Sequence, residues 1–215
     1  AARGGLAQPR RQGGAIHREG QPRPAIARLL DAGVTVLGVD LIYQGEFLAD
    51  GKPLEKTRRV ENPREAAAYT FGYNRTVFAQ RVHDVLSTVR FAKSRRDGTA
   101  VYLVGLDGAG PWAAAALAQA DNTVAKAAID TGAFRFGNVL DIHSPDFLPG
   151  GAKYFDLPGM IALAAPTPLW LAGEGATAPN VVAAAYQATG APQALTLADG
   201  DAAKRTDKAV QWLLK

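Results

Sequence analysis

The sequence predicts an α/β fold, a mainly parallel sheet with helices on both of its faces. Three observations carry this. Short, fully apolar runs of the buried-strand kind alternate with helix-period segments at least four times along the chain. One of these units, Val101 to Ala118, passes from a β-branched run through a Gly-rich corner into a strong helix former. The chain has 215 residues and is 47% hydrophobic, enough for one large core.

The elements follow in order. Residues 1–23 lack periodicity, are rich in Gly, Arg and Gln, and are read as an irregular basic segment ahead of a single domain over 24–215. Pro24 opens a helix with Ile26, Leu29 and Leu30 on its apolar face, and Gly33 stops it. Val34 to Val39 is a strand ended by Asp40, and a long connection follows to residue 62. After a short helix near 66–69, Thr76 to Lys93 is the longest helix, with Phe78, Val82, Val85, Leu86 and Val89 forming one stripe. The Val101 strand and the helix from Pro111 to about Ala120 come next. Strands are expected at 124–129, 168–172 and 194–197, and helices at 157–163, 179–187 and 202–214. A long loop punctuated by Gly, Pro and Asp fills 131–156.

Composition removes several classes of function. There is no Cys, so disulfides and thiolate metal sites are excluded, and no His/Glu pattern with metal-ligand spacing is present. No cofactor is expected: Gly105, Gly108 and Gly110 miss the spacing of a dinucleotide loop. No apolar run approaches the ~20 residues of a membrane span, and no membrane partner is expected. The net charge is +4, with basic clusters in the first 28 residues and at Lys52, Lys56, Arg58, Arg59 and Arg64. Neither cluster interleaves aromatics, so both read as solvated loops, not as a nucleic-acid surface. The first residues lack the apolar core of a secretory signal, and the compartment is open.

Parallel α/β sheets bind ligands beyond the carboxyl ends of their strands. Asp40, Asp107, Asp130, Glu174 and Asp199 occupy those ends. Each is either part of a site or a cap and turn residue. Gly105-Leu106-Asp107-Gly108-Ala109 has the order of a nucleophile elbow: small residue, any residue, nucleophile, any residue, small residue. The nucleophile place holds a carboxylate. The competing reading is that Asp107 caps the helix beginning near Pro111 or hydrogen-bonds the turn.

These stretches resemble the α/β-hydrolases, in particular the acetyl xylan esterase and dienelactone-hydrolase-like branch. Leu29 to Asp40 is similar to the helix and strand that precede the family's D-x-x-x-x-G-x-S loop. Asp40 and Gly45-Glu46-Phe47 match that loop, with Phe47 where Ser is usual. Arg81-Val82-His83-Asp84 resembles the helix before the elbow, and Pro168 to Glu174 the strand whose end carries the triad acid. The resemblance implies a hydrolase of carboxylic esters, with a small-molecule or carbohydrate ester as substrate. It also implies sheet strands ahead of residue 34, where none is legible in residues 1–23. The chain is therefore expected to lack N-terminal strands and to belong to a longer polypeptide that is its partner in completing the fold. Gly4-Gly5 and Gly13-Gly14 are the candidates for the remains of an oxyanion loop.

The chemistry departs from the family. The three Ser, at 87, 94 and 144, all lie outside a G-x-S-x-G turn, which excludes serine catalysis at the elbow. The triad His is expected after the last strand, where Ala198 to Asp201 has none. The three His are His17 in the basic segment, His83 off the stripe of the long helix, and His143 in the long loop. His143 is the candidate base or else an exposed loop residue, Glu174 is the candidate acid, and Asp107 is the candidate nucleophile, as in the Asp elbow of dehalogenase relatives. Gly105, Leu106, Gly108 and Ala109 complete the elbow, with the Gly108 N–H as oxyanion donor. Arg135, between Phe134 and Phe136, either binds a substrate anion or pairs with Asp130 or Asp141. Three functions stay open: an atypical ester hydrolase, a catalytically degenerate domain kept for binding or scaffolding, and an Asp-nucleophile hydrolase.

Overall fold

Among the described residues six strands lie side by side, and every pairing is parallel. They are β1 (Gly5–Ala7), β2 (Leu37–Val39), β3 (Val101–Gly105), β4 (Val124–Asp130), β5 (Leu169–Ala172) and β6 (Leu195–Ala198). Their spatial order is β2-β1-β3-β4-β5-β6. The computed structural model describes residues 5–7, 21–48, 52–58, 66–95 and 98–215.

The reading of the N-terminal segment as strandless is corrected at Gly5–Ala7. These three residues pair with Leu37–Val39 on one side and Leu103–Gly105 on the other. No β-branched residue marks them, so their conformation comes from the two strands they join; such tertiary context overrides local propensity. The chain leaves β1 towards Gly13-Gly14, which lie outside the described residues. So do Gly4 and His17.

The described residues form seven α-helices: α1 (Pro24–Asp31), α2 (Ala67–Phe71), α3 (Val77–Ser94), α4 (Gly110–Leu117), α5 (Asp156–Ala162), α6 (Asn180–Ala188) and α7 (Arg205–Leu213). Strand alternation decides the faces. Val101, Leu103, Ala127, Ile129, Leu169 and Leu171 point into a core shared with α3, α4, α5 and α6. Val104, Ala128, Trp170, Ala172 and Ala198 point the other way, against Ala209 and Leu213 of α7. Helix α1 packs beside α7 through Ile26, Leu29 and Val210.

Local chemistry accounts for the helix ends. Pro24 begins α1, where its missing N–H has no partner to lose. The Thr76 hydroxyl accepts the N–H of Ala79 and caps α3. The long final helix expected from residue 202 is divided: Ala202–Lys204 is a 3-10 turn, and α7 starts at Arg205. Asp201 caps that turn by accepting the Ala203 N–H at 2.9 Å. The expected strand 34–39 pairs only over its last three residues.

Helix α4 is buried along its whole length. Ala113, Ala114 and Ala116 have no exposed surface, which lets the helix lie directly on the sheet. Its first residue meets the end of β4 so closely that a Cβ on Gly110 would stand 1.8 Å from the Asp130 carbonyl oxygen. Gly110→Ala therefore forces backbone apart, and it is expected to lower stability by about 1–3 kcal/mol. Urea unfolding followed by circular dichroism measures this, and an unshifted midpoint would contradict the close approach.

Candidate active site

The turn from β3 to α4 has the strained geometry that an elbow needs. Asp107 sits at φ 51°, in the left-handed region that L side chains avoid, and Gly108 follows at φ 91°. Gly105 is small of necessity: a Cβ there would lie 2.4 Å from the Ala113 Cβ. Ala109 is fully buried. The small residues before and after Asp107 thus let strand and helix touch while the Asp107 side chain is exposed.

The capping alternative does not describe Asp107. Ala109 holds the N-cap position of α4, and no side chain caps it. Among the described residues the Asp107 carboxylate takes no hydrogen bond or ion pair, and the Gly108 N–H donates to none. The turn is closed by the Ala109 N–H, which donates to the Leu106 carbonyl at 3.0 Å.

A cleft of about 770 Å³ opens beside this turn. Gly108, Pro111 and Trp112 form its floor side, Tyr43 and Gln44 come from the segment after β2, and Arg81 comes from α3. Phe134 and Asp146, from the loop after β4, close another side. Its size lies within the ~300–1,000 Å³ usual for small-molecule sites.

Arg81 organises one wall. It is buried on the apolar stripe of α3, three residues beyond Phe78. Its Nε donates to the Ile42 carbonyl at 3.2 Å and Nη2 to the Tyr43 carbonyl at 3.4 Å. Its guanidinium carbon stands 4.6 Å from the centre of the Trp112 ring, and Nη1 is 3.9 Å from Asp146. One turn along α3, Asp84 accepts the Ile42 N–H at 3.0 Å. The Arg81 and Asp84 spacing therefore clamps the loop after β2. That loop is tight at its far end too, because a Cβ on Gly45 would fall 2.0 Å from the Asp40 carboxylate. Phe47, in the place where Ser is usual, is exposed.

Glu174 follows β5 as expected and is already occupied. Its side chain is only 2% exposed. Arg135 binds both of its oxygens, Nη1 to Oε1 at 3.0 Å and Nη2 to Oε2. The Thr131 hydroxyl donates to Oε1 at 2.6 Å. The hydrogen bond to Glu174 holds the Arg135 guanidinium above its ordinary pKa; partial burial opposes this, and the charges of Glu174 and Asp156 add to it.

The expected pairing of Arg135 with Asp130 or Asp141 is thus corrected. Asp130 is taken by Arg205 of α7, at 2.9 and 3.1 Å, and Asp141 by Lys56 at 3.0 Å. Arg135 lies between Phe134 and Phe136, whose rings meet edge to face 5.0 Å apart. Phe136 packs in turn on Phe78 in the core. The substrate-anion role assigned to Arg135 has to compete with this bidentate pair.

His143 stands in the loop between β4 and α5. Its N–H donates to Asp141 at 2.8 Å, and its carbonyl accepts from the Thr57 N–H at 2.7 Å. Asp141 is held below the usual carboxylate range by that backbone N–H and by Lys56. His143 is not among the residues that line the cleft, although Pro145 and Asp146 are. Among the described residues neither Asp107 nor Glu174 has a His partner. His83 is exposed on α3. Among the described residues no group of three or more His, Asp or Glu is arranged to hold a metal. No helix there is long and apolar enough to cross a membrane.

Among solved structures, the chain is similar to Est1E from Butyrivibrio proteoclasticus, determined with ferulic acid bound. The TM-score is 0.55 over 99% of this chain and 88% of that one, at 12% sequence identity. The fold is that of an α/β-hydrolase. Neither a scan against protein-family models nor a search of curated proteins finds a match.

Sequence reasoning missed Arg81, Gln44 and Trp112 as parts of the cleft. A signal existed for Arg81 alone: a cation placed on an otherwise apolar helical stripe needs a buried partner. Two outcomes follow from the geometry. Asp107→Gly relieves left-handed strain that no hydrogen bond compensates, and is expected to raise stability by about 0.5–1 kcal/mol in chemical denaturation. Arg135→Met leaves a buried carboxylate with only Thr131, and a loss of about 3 kcal/mol is expected from the same measurement. A loss under about 1 kcal/mol there would mean that Glu174 finds water or another donor.

Proposed function

We propose that the chain is an α/β-hydrolase-fold domain that binds a small-molecule or carbohydrate ester in the cleft beside Asp107 without serine-type turnover. The observation that carries this is the state of Glu174. An acid that orients a catalytic imidazole must offer it an oxygen. Both Glu174 oxygens are held by Arg135, one of them also by Thr131. The turn after β6 holds Asp199, Gly200 and Asp201, and among the described residues no imidazole stands there to be oriented. The ester class is supported by the fold likeness to Est1E and by the aromatic and proline walls of the cleft.

A second reading is favoured by the turn itself. An Asp held at φ 51°, exposed and unpaired, next to an undonated Gly108 N–H, has the arrangement of a carboxylate nucleophile with an oxyanion donor. Attack by an Asp107 oxygen on the alkyl carbon of a substrate would break that carbon's bond to its leaving group, release that group as an anion (for an ester, the carboxylate) and leave an alkyl ester on Asp107. Its hydrolysis then needs a base for the incoming water, and among the described residues no imidazole contacts Asp107.

The two readings separate in one experiment. The protein is incubated with p-nitrophenyl acetate and with methyl ferulate, and product release, ligand heat and protein mass are followed. Binding reads out as heat by calorimetry, with product at the protein-free rate and no mass increase. A stable adduct mapped to Asp107 supports the second reading. Asp107→Ser is expected to leave the rate at background, since a hydroxyl without a base is a weak nucleophile. Turnover by that variant at serine-esterase rates would overturn the proposal.

A further inference from the structure

Strand β6 leaves one side of its backbone open. It pairs with β5 through all of its residues in unbroken register, and among the described residues no strand lies on its other side. An open edge is a template for another strand, and proteins usually guard it with a Lys, a Pro or a bulge. Leu195-Thr196-Leu197-Ala198 has none of these.

The surface next to this edge is equally unguarded. Along one face of the sheet α3 packs on α4, α4 on α5 and α5 on α6, so α6 ends the helix layer where β6 ends the sheet. Leu195 and Leu197 join Val182 and Tyr186 of α6 in the core on that face. Val181 and Ala185, on one flank of α6, are half-buried, while Ala183 and Gln187, on the other flank, are exposed. No Asp, Glu, Lys, Arg or His stands between Glu174 and Asp199, although the chain as a whole is 20% charged. The opposite edge differs, because Asp31 and Asp40 bracket β2.

Charge names the occupant. In a two-fold contact every charge near the axis faces its own copy, which is a like charge. An uncharged face is therefore where two copies of this basic chain can meet, and depletion of charge marks the core of an interface. Two-fold symmetry also sets the direction, since each strand then meets its copy reversed. Asp199 and Asp201 stand just after β6, and Pro192, Gln193 and Ala194 just before it are uncharged. Antiparallel pairing sets the carboxylates of one copy beside the uncharged end of the other. Parallel pairing would set carboxylate beside carboxylate.

We propose that β6 and the exposed flank of α6 form a self-association surface, on which a second copy of this chain adds its own β6 antiparallel and continues the sheet across a two-fold axis. The proposal is independent of the cleft and its ligand. Strands this short make a small contact, so the association is expected to be weak and concentration-dependent.

Sedimentation equilibrium of the whole chain between about 1 and 300 μM reads the mass, a range that spans weak association. Hydrogen exchange at both ends of that range reads the edge. The wild type is expected to pass from 22.6 kDa towards twice that mass, with the amides of residues 195–198 more protected at the higher concentration. Ala183→Lys with Gln187→Lys puts like charges on exposed helix positions, where Lys is a good helix former and the fold is kept. Association of this variant is expected to be at least about tenfold weaker. His83→Lys with Ser87→Lys puts Lys at two exposed positions of α3, at the other end of the helix layer, and is expected to associate as the wild type does. A monomer throughout the range overturns the second copy as the occupant. A dimer that survives the α6 charges, or one whose 195–198 amides gain no protection, overturns this face as the interface. Equal weakening by both variants does so too, because it would report net charge and not a local contact.

Discussion

Helix α4 can lie on the sheet only because Gly105 and Gly110 carry no Cβ. At one end of the turn a side chain would strike Ala113, and at the other it would strike the last carbonyl of β4. Between these two contacts the chain has four residues in which to reverse, and Asp107 takes up the reversal at a positive φ. The strain of that residue is local, and the packing that imposes it is spread over the whole buried helix. An over-determined surrounding is what allows a strained residue to persist. The exposed carboxylate of Asp107 and the cleft beside it are both consequences of this packing.

A second set of interactions holds the rim. Arg81 and Asp84 tie the loop after β2 to α3, Arg135 and Thr131 tie the end of β5 to the loop after β4, and Arg205 ties the end of β4 to α7. Each joins a strand end or strand-end loop to a different part of the structure. Charges at strand ends are thereby used for structure in three of the five places where the sequence put a carboxylate on offer: Asp40 lies against Gly45, Asp130 against Arg205, and Glu174 against Arg135. Asp107 differs, since its carboxylate takes no partner among the described residues. The Asp199 side chain accepts the N–H of Gly200 within its own turn, and its carbonyl accepts from the Lys208 Nζ of α7.

This division separates what shapes the turn from what holds the strand ends. The turn's shape depends on small residues at 105, 109 and 110. A carboxylate buried at a strand end without a partner is costly. Arg135 supplies the partner of Glu174, and Arg205 that of Asp130.

The α/β class, the alternation of elements, the long helix with its stripe and the strand–turn–helix unit at Val101 to Leu117 were all legible in the sequence. Each depends on residue type or on short-range periodicity, which one chain displays directly. The strand at Gly5–Ala7 was not, because its three residues acquire their conformation from neighbours 32 and 98 positions away. The partner of Arg135 was not either. Asp130 and Asp141 were the partners its sequence neighbourhood offered, and only the folded distances choose Glu174. Nor does the spacing of Gln44, Arg81 and Trp112 suggest that they share a wall. The sequence by itself determined the alternation of elements and which residue types stand at the strand ends; only tertiary structure decided which of those charges are paired, because pairing is a property of distance and burial.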